Sequence, residues 1–97
     1  MAYEPKIKTG HTDALMDCIL ALKNHEECYR LFEDMCTVNE LLAMSQRIQV
    51  ARMLKENITY HEIVERTGAS TATISRVNRC LQYGSGGYEL ILGRVEP

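Results

Sequence analysis

Apolar side chains recur along this chain at helical spacing, and nowhere do they alternate over the length a strand needs. Leu15, Cys18, Ile19 and Leu22 follow i, i+3, i+4, i+7, and Cys28, Leu31, Phe32 and Met35 repeat that spacing. Both segments therefore read as helices with one apolar stripe. Thr12 stands as the N-cap of the first, with Asp13 placed to meet the positive end of the helix dipole. Asn24 and His25 separate the two stripes. Residues 1–11, with Pro5, Gly10 and spaced lysines, carry no period and read as a loose arm.

Thr37 followed by Glu40 forms a capping box, which satisfies orphan amides at a helix start. It opens a helix over about residues 38–56. Leu41, Leu42, Met44, Ile48, Val50, Ala51, Met53 and Leu54 spread around several of its faces. A helix apolar on several faces is normally buried centrally, and in so short a chain a second copy would cover part of it. Asn57 ends this helix, and Thr59 with Glu62 makes a second capping box before a short helix over 60–66 carrying Ile63 and Val64. After Gly68 and Ala69, Ser70 caps a helix over 71–82, with Ile74, Val77 and Leu81 apolar at i, i+3, i+7. The run GSGG at 84–87 reads as a flexible break. The closing stretch YELILGRVEP stays open between a short helix and an extended segment. The expected fold class is all-α, about six helices.

The 97 residues fit a single domain, here 1–97, with an arm at 1–11, dimerisation helices at 12–56, a paired short-helix segment at 59–82 and a C-terminal segment at 83–97. A net charge of −2 hides an uneven distribution: −4 over residues 1–40, +3 over 41–82 and −1 over 83–97. The positive charge sits where the two short helices lie, and a local basic face is what meets phosphates. The N-terminus has no apolar stretch of a signal peptide and no apolar run approaches the roughly 20 residues that cross a bilayer, so the expected compartment is the cytoplasm. Four cysteines (Cys18, Cys28, Cys36, Cys80) are then reduced thiols, with Cys18 and Cys28 expected as small buried hydrophobes on the stripes. No C-x-x-C pair occurs, and His25 with Cys28 is the one close His/Cys pair, so no metal site is expected. His11, His25 and His61 are scattered and no nucleophile has a base nearby in sequence, so no enzyme is expected.

Two short helices joined through a glycine turn form the helix-turn-helix pattern. Gly68 can take the positive φ of a sharp turn, and Ala69 fits where the helices approach. Ser70 caps the second helix and leaves its first amides directed at an anion. With Ile74, Val77 and Leu81 holding that helix to the body, Thr71, Thr73, Ser75, Arg76, Asn78 and Arg79 make its outward face. Small hydroxyl residues let a helix end enter a major groove, and arginines contact phosphate or guanine. His61, on the shorter helix, is expected at the surface or facing phosphate. The same amphipathic helices could instead dock a protein, as an adaptor, or serve a small-molecule sensor without direct DNA binding. Steep salt dependence separates phosphate binding from the adaptor, and a ligand-induced heat-stability shift marks the sensor.

The stretch RTGASTATISRVNRCL resembles the reading head of the tryptophan repressor family, and MSQRIQVARMLKENITYHEI is similar to that family's central helix and first reading-head helix without a gap. With GYELIL included, the chain most resembles the repressor-like branch called YerC/YecD. The resemblance, specific over residues 44–82, implies an intertwined homodimer whose recognition helices enter successive major grooves of double-stranded DNA. It places Thr71, Ala72, Thr73 and Ser75 at the DNA, and the capped, outward face adds Ser70, Arg76 and Arg79 as expected contacts. It also implies a ligand pocket: Arg76 matches the arginine that stacks on bound tryptophan, Gln46 replaces the pocket's second arginine, and Cys80 replaces a serine near the indole edge. Gln46 cannot pair with a carboxylate as a cation does, and Arg47 would compensate only with a different helix phase. The function expected is transcriptional regulation, as a repressor, with no resident cofactor and with any small-molecule corepressor other than tryptophan.

Overall fold

The computed structural model describes residues 3–95; the outermost ends of the expected arm and C-terminal segment lie outside the described residues. These residues form six α-helices and no strand: α1 (Gly10–Leu20), α2 (His25–Met35), α3 (Val38–Lys55), α4 (Tyr60–Thr67), α5 (Thr71–Tyr83) and α6 (Gly87–Val95). Their contacts divide the chain into two compact units, Met1–Thr37 and Val38–Pro97.

In the first unit, the arm ends sooner than its composition predicts. Thr9, not Thr12, is the N-cap of α1: its hydroxyl accepts from the Thr12 N–H at 3.0 Å, while the Thr12 hydroxyl accepts from the Thr9 N–H at 2.7 Å. Two threonines three residues apart can close this reciprocal box, and the helix gains a turn when the earlier one caps. Asn24 caps α2 by accepting from the Glu27 N–H at 2.9 Å. Neither helix has a buried residue. The expectation that Cys18 and Cys28 are buried therefore fails: Cys18 is exposed and Cys28 half-buried. Of the α1 stripe, Leu15 and Cys18 are exposed while Ile19 and Leu22 are half-buried, and Leu20, beside the stripe, is 81% exposed.

In the second unit, α3 packs against α4, α5 and α6. The core gathers Val50 and Ala51 of α3, Ile63 of α4, Ala69 of the turn, Ile74 and Val77 of α5, and Leu92 of α6, each at most 2% exposed. The aliphatic row expected to hold the second short helix does so, with half-buried Leu81 at its end. Central burial of the long helix holds only for its C-terminal half, since Val38 and Leu42 stay 73% and 62% exposed.

The chain stops and restarts its helices by local chemistry. Asn57, at φ 62°, leaves α3 in the left-handed region that asparagine tolerates. Thr59 caps α4, but the second capping box closes only on one side. The Glu62 N–H donates to the Thr59 hydroxyl at 3.2 Å, while the Glu62 carboxylate pairs with Arg66 Nε at 3.1 Å. A basic partner one turn away competes with the cap's own amide for that carboxylate. Gly84 lets α5 end tightly: a Cβ there would stand 2.5 Å from the Cys80 carbonyl oxygen. Gly87, expected in the flexible break, is already the first residue of α6. The closing stretch is helical because Tyr88 and Leu92, one turn apart, both pack on the core. Lys55 Nζ reaches Glu89 at 3.2 Å between α3 and α6.

Ile74 is fully buried between the body and the helix that carries the outward face. Ile74→Ala removes that packing and leaves a cavity, so urea unfolding is expected to show a loss of about 2–5 kcal/mol.

Candidate nucleic-acid interface

The two short helices α4 and α5 meet through residues 68–70, and each residue of this turn has a distinct role. Gly68 lies at φ 72° as the C-cap of α4, its N–H donating to the Val64 carbonyl at 2.9 Å. The Thr67 hydroxyl donates to the Ile63 carbonyl at 2.7 Å and accepts from the Ala69 N–H at 3.1 Å, so one side chain spans the end of α4 and the turn. Ala69, 2% exposed, puts its methyl into the core. Ser70 caps α5 by accepting from the Thr73 N–H at 3.1 Å. An αL glycine followed by a serine cap reverses the chain within three residues.

At about 100° per residue, Thr71, Ser75, Arg79, Ala72, Arg76 and Cys80 span roughly half the circumference of α5. All six are exposed, as is Ser70, and α5 contains no acidic residue. Among the described residues neither Arg76 nor Arg79 is held in an ion pair. Ile74 and Val77 occupy the opposite arc. Thr73 and Asn78, expected on the outward face, fall on its two edges and are half-buried. The Thr73 hydroxyl meets Ser70 Oγ at 3.1 Å, and Asn78 Nδ2 donates to the Tyr60 hydroxyl at 3.2 Å, which braces α5 against α4. Asn78 is thereby a strut between helices as well as a surface group. His61 lies on α4 with its side chain 88% exposed and Glu65 at 4.0 Å.

Along the Thr73 edge runs a cleft of about 370 Å³ between α3 and α5. Ala43, Gln46 and Arg47 line one wall, Thr73, Arg76, Val77 and Cys80 the other, and Tyr88 of α6 closes one side. The structure thus brings together the three residues singled out for a ligand pocket, Gln46, Arg76 and Cys80. It adds Arg47 without any change of helix phase, because positions 43, 46 and 47 form one i, i+3, i+4 row. The sequence reading set Arg47 aside and missed Tyr88. The spacing of Arg47 from Ala43 carried the signal for the first; nothing marked Tyr88 while the form of its segment stayed open. The Gln46 side chain is itself engaged: Nε2 donates to the Thr67 carbonyl at 3.2 Å.

No helix among the described residues is long and apolar enough to cross a membrane, and none of their His, Cys, Asp and Glu side chains gather in threes to hold a metal. Such a frame, with a capped, acid-free helix displayed beyond a glycine turn, defines a helix-turn-helix protein. The chain belongs to the Trp repressor family: the family model described as Trp repressor protein matches residues 10–96. It is 56% identical over 91 residues to the uncharacterised protein YerC of Bacillus subtilis (strain 168), covering 94% of this chain and 88% of that one. A crystal structure from Staphylococcus aureus, of a protein assigned provisionally to the Trp repressors, superposes with a TM-score of 0.88 at 54% identity, over 92% of this chain and 89% of the other. A TrpR-like protein from Eubacterium eligens ATCC 27750 gives a TM-score of 0.89 at 54% identity, over 93% of each chain. These relatives support the YerC branch and the all-α, Trp repressor-like fold read from the sequence.

Ser70 is the cap on which the start of α5 depends. Ser70→Ala is expected to cost about 1 kcal/mol in chemical unfolding, whereas Ser70→Asn, an equally good cap, leaves the stability within about 0.3 kcal/mol of the parent.

Proposed function

We propose that this protein binds duplex DNA as a symmetric homodimer and regulates transcription in the cytoplasm, acting as a repressor, with no catalytic role. The observation that carries the reading is the outward arc of α5: Ser70 at its start, Thr71, Ala72 and Ser75 small enough to enter a major groove, and Arg76 and Arg79 unpaired by any described acid. Small residues at the helix start allow close approach to base edges, and the guanidinium groups match guanine or phosphate bidentately. Thr73, at the arc's edge, would meet the backbone beside the groove. His61, one helix away and exposed, would lie along a flanking phosphate.

The homodimer reading rests on apolar side chains left uncovered in the single chain. Leu20, Val38 and Leu42 stay largely exposed, and α1 and α2 bury none of their residues. A second copy is the simplest cover, and a two-fold pair presents two α5 helices to one face of a duplex. Any small molecule that modulates binding would act in the cleft of Gln46, Arg76 and Cys80, the edge along which α5 meets α3. Tryptophan is not the expected effector: the neutral Gln46 amide already serves Thr67, and Cys80 stands where the family has a serine, although Arg47 brings a cation to the same wall.

The test is binding to duplexes selected from a random pool, measured over a series of salt concentrations. Arg76→Ala combined with Arg79→Ala is expected to weaken binding at least tenfold and to lower the log–log salt slope by up to about two, roughly 0.9 for each phosphate left without its cation. Unchanged affinity in the double variant would overturn the reading, and salt-insensitive capture of a protein partner would favour an adaptor. Sedimentation at micromolar concentration is expected to give the mass of two chains; a monomer would remove the two-fold from the proposal.

A further inference from the structure

We infer that Gln46 is a positioning residue that locks the helix-turn-helix in its DNA-reading geometry, so that duplex binding needs no small-molecule effector. The inference rests on the DNA-binding reading above and concerns the regulation of that same surface. Thr67 is the last residue of α4, and its carbonyl belongs to the set that a helix end leaves without an intrahelical partner. A carbonyl can only accept, so the side-chain amide of Gln46 must present its nitrogen to it, at 3.2 Å and partly buried. The bond joins residues 21 apart in sequence, from the middle of α3 to the hinge between the two short helices.

Thr67 is a node. Its hydroxyl bonds Ile63 within α4 and Ala69 within the turn, at 2.7 and 3.1 Å. Its carbonyl takes the α3 strut. With Gly68 held at φ 72° by its N–H to Val64, the turn is tied to α4 and to α3 at once. The second bridge, Asn78 Nδ2 to the Tyr60 hydroxyl, fixes α5 against α4 further along. The angle between α5 and the body is thus set by the protein's own donors. Gln46 also lines the cleft between α3 and α5, with Arg47 and Arg76, and its amide is engaged at the turn rather than left for a ligand there.

The experiment compares the full-length parent with Gln46→Met and Gln46→Arg. Met keeps the length and helix propensity but removes the donor; Arg restores a donor of similar reach. Duplex affinity and salt slope are measured without and with added amino acids and indoles, tryptophan among them, and amide hydrogen exchange is followed at Gly68, Ala69 and Ser70. The parent is expected to bind fully with nothing added. Gln46→Met should bind about three- to tenfold more weakly with an unchanged salt slope, as removal of one hydrogen bond predicts while every phosphate stays neutralised. Its turn amides should exchange faster, and Gln46→Arg should recover most of both properties. Parental affinity and parental turn protection in Gln46→Met would overturn the inference while leaving DNA binding intact. So would a parent that binds tightly only after a small molecule is added. A parent that fails to bind duplex under every condition would overturn the functional reading and this inference together.

Discussion

Everything in the second unit depends on one interaction: the rear aliphatic row of α5 laid against the C-terminal half of α3. Ile74 and Val77 meet Val50 and Ala51 there, with Ile63, Ala69 and Leu92 closing the sides. Burial of one such side chain is worth about 1.5–3 kcal/mol, and few are available in so small a unit, so none is redundant. Close approach is possible because two of the seven core positions are alanines, Ala51 and Ala69. A larger side chain at either would push α5 outward and change the direction of its polar face. The apolar packing therefore does two things, giving stability and aiming the helix.

The aiming is completed by polar groups that contribute little to stability. A side-chain hydrogen bond contributes about 0.5–1.5 kcal/mol net, too little to hold a helix against an unfavourable core. What these bonds add is direction. The bonds around Thr67 and the Tyr60–Asn78 bridge fix angles that apolar packing leaves free, since the hydrophobic effect is non-directional. Gly68 supplies the reversal that makes these bonds reachable. Local conformation, core packing and polar ties all select the same arrangement, which marks a sequence with little conflict between levels.

Much of this was legible from spacing and turn chemistry. The αL glycine, the serine cap, the aliphatic row of α5 and the C-terminal stop at Asn57 each follow from one residue's physical preference. The family and its fold were readable in residues 44–82 because that segment is dense in such constraints. Elsewhere the sequence underdetermined the answer. Thr9 and Thr12 can each cap a helix, and the choice turns on a reciprocal bond that forms only in the folded chain. Glu62 could serve the cap or Arg66, and two near-equal partners leave no local signal. Thr73 and Asn78 lie near the boundary between faces, where a helical wheel does not separate outward from half-buried. Arg47 joined the cleft because i+3 and i+4 share a face, and Tyr88 entered it only once α6 was known to be a helix that packs back. Cys18 failed differently: periodicity reports an apolar stripe but not what covers it.

The exposed apolar side chains Leu20, Val38 and Leu42 and the displayed α5 bear together on the proposed pair. A single recognition helix offers few side chains to a duplex, and one small reading module buries only roughly 600–1,000 Å² of protein surface. Salt-sensitive contacts of that size give weak binding that many non-specific sites can match. Joining two such helices turns the second docking event into an intramolecular one, and the gain depends on how well the spacing is held. A loosely tethered pair loses that gain, because each helix must search for its groove. On the proposed dimer, the exposed apolar side chains of α1, α2 and the start of α3 would suit a lasting association, since obligate interfaces are the more hydrophobic ones. In the symmetric pair proposed above, rigid ties at the turn would matter twice over: an angular error in one α5 would be repeated in the other, and both grooves would be missed at once.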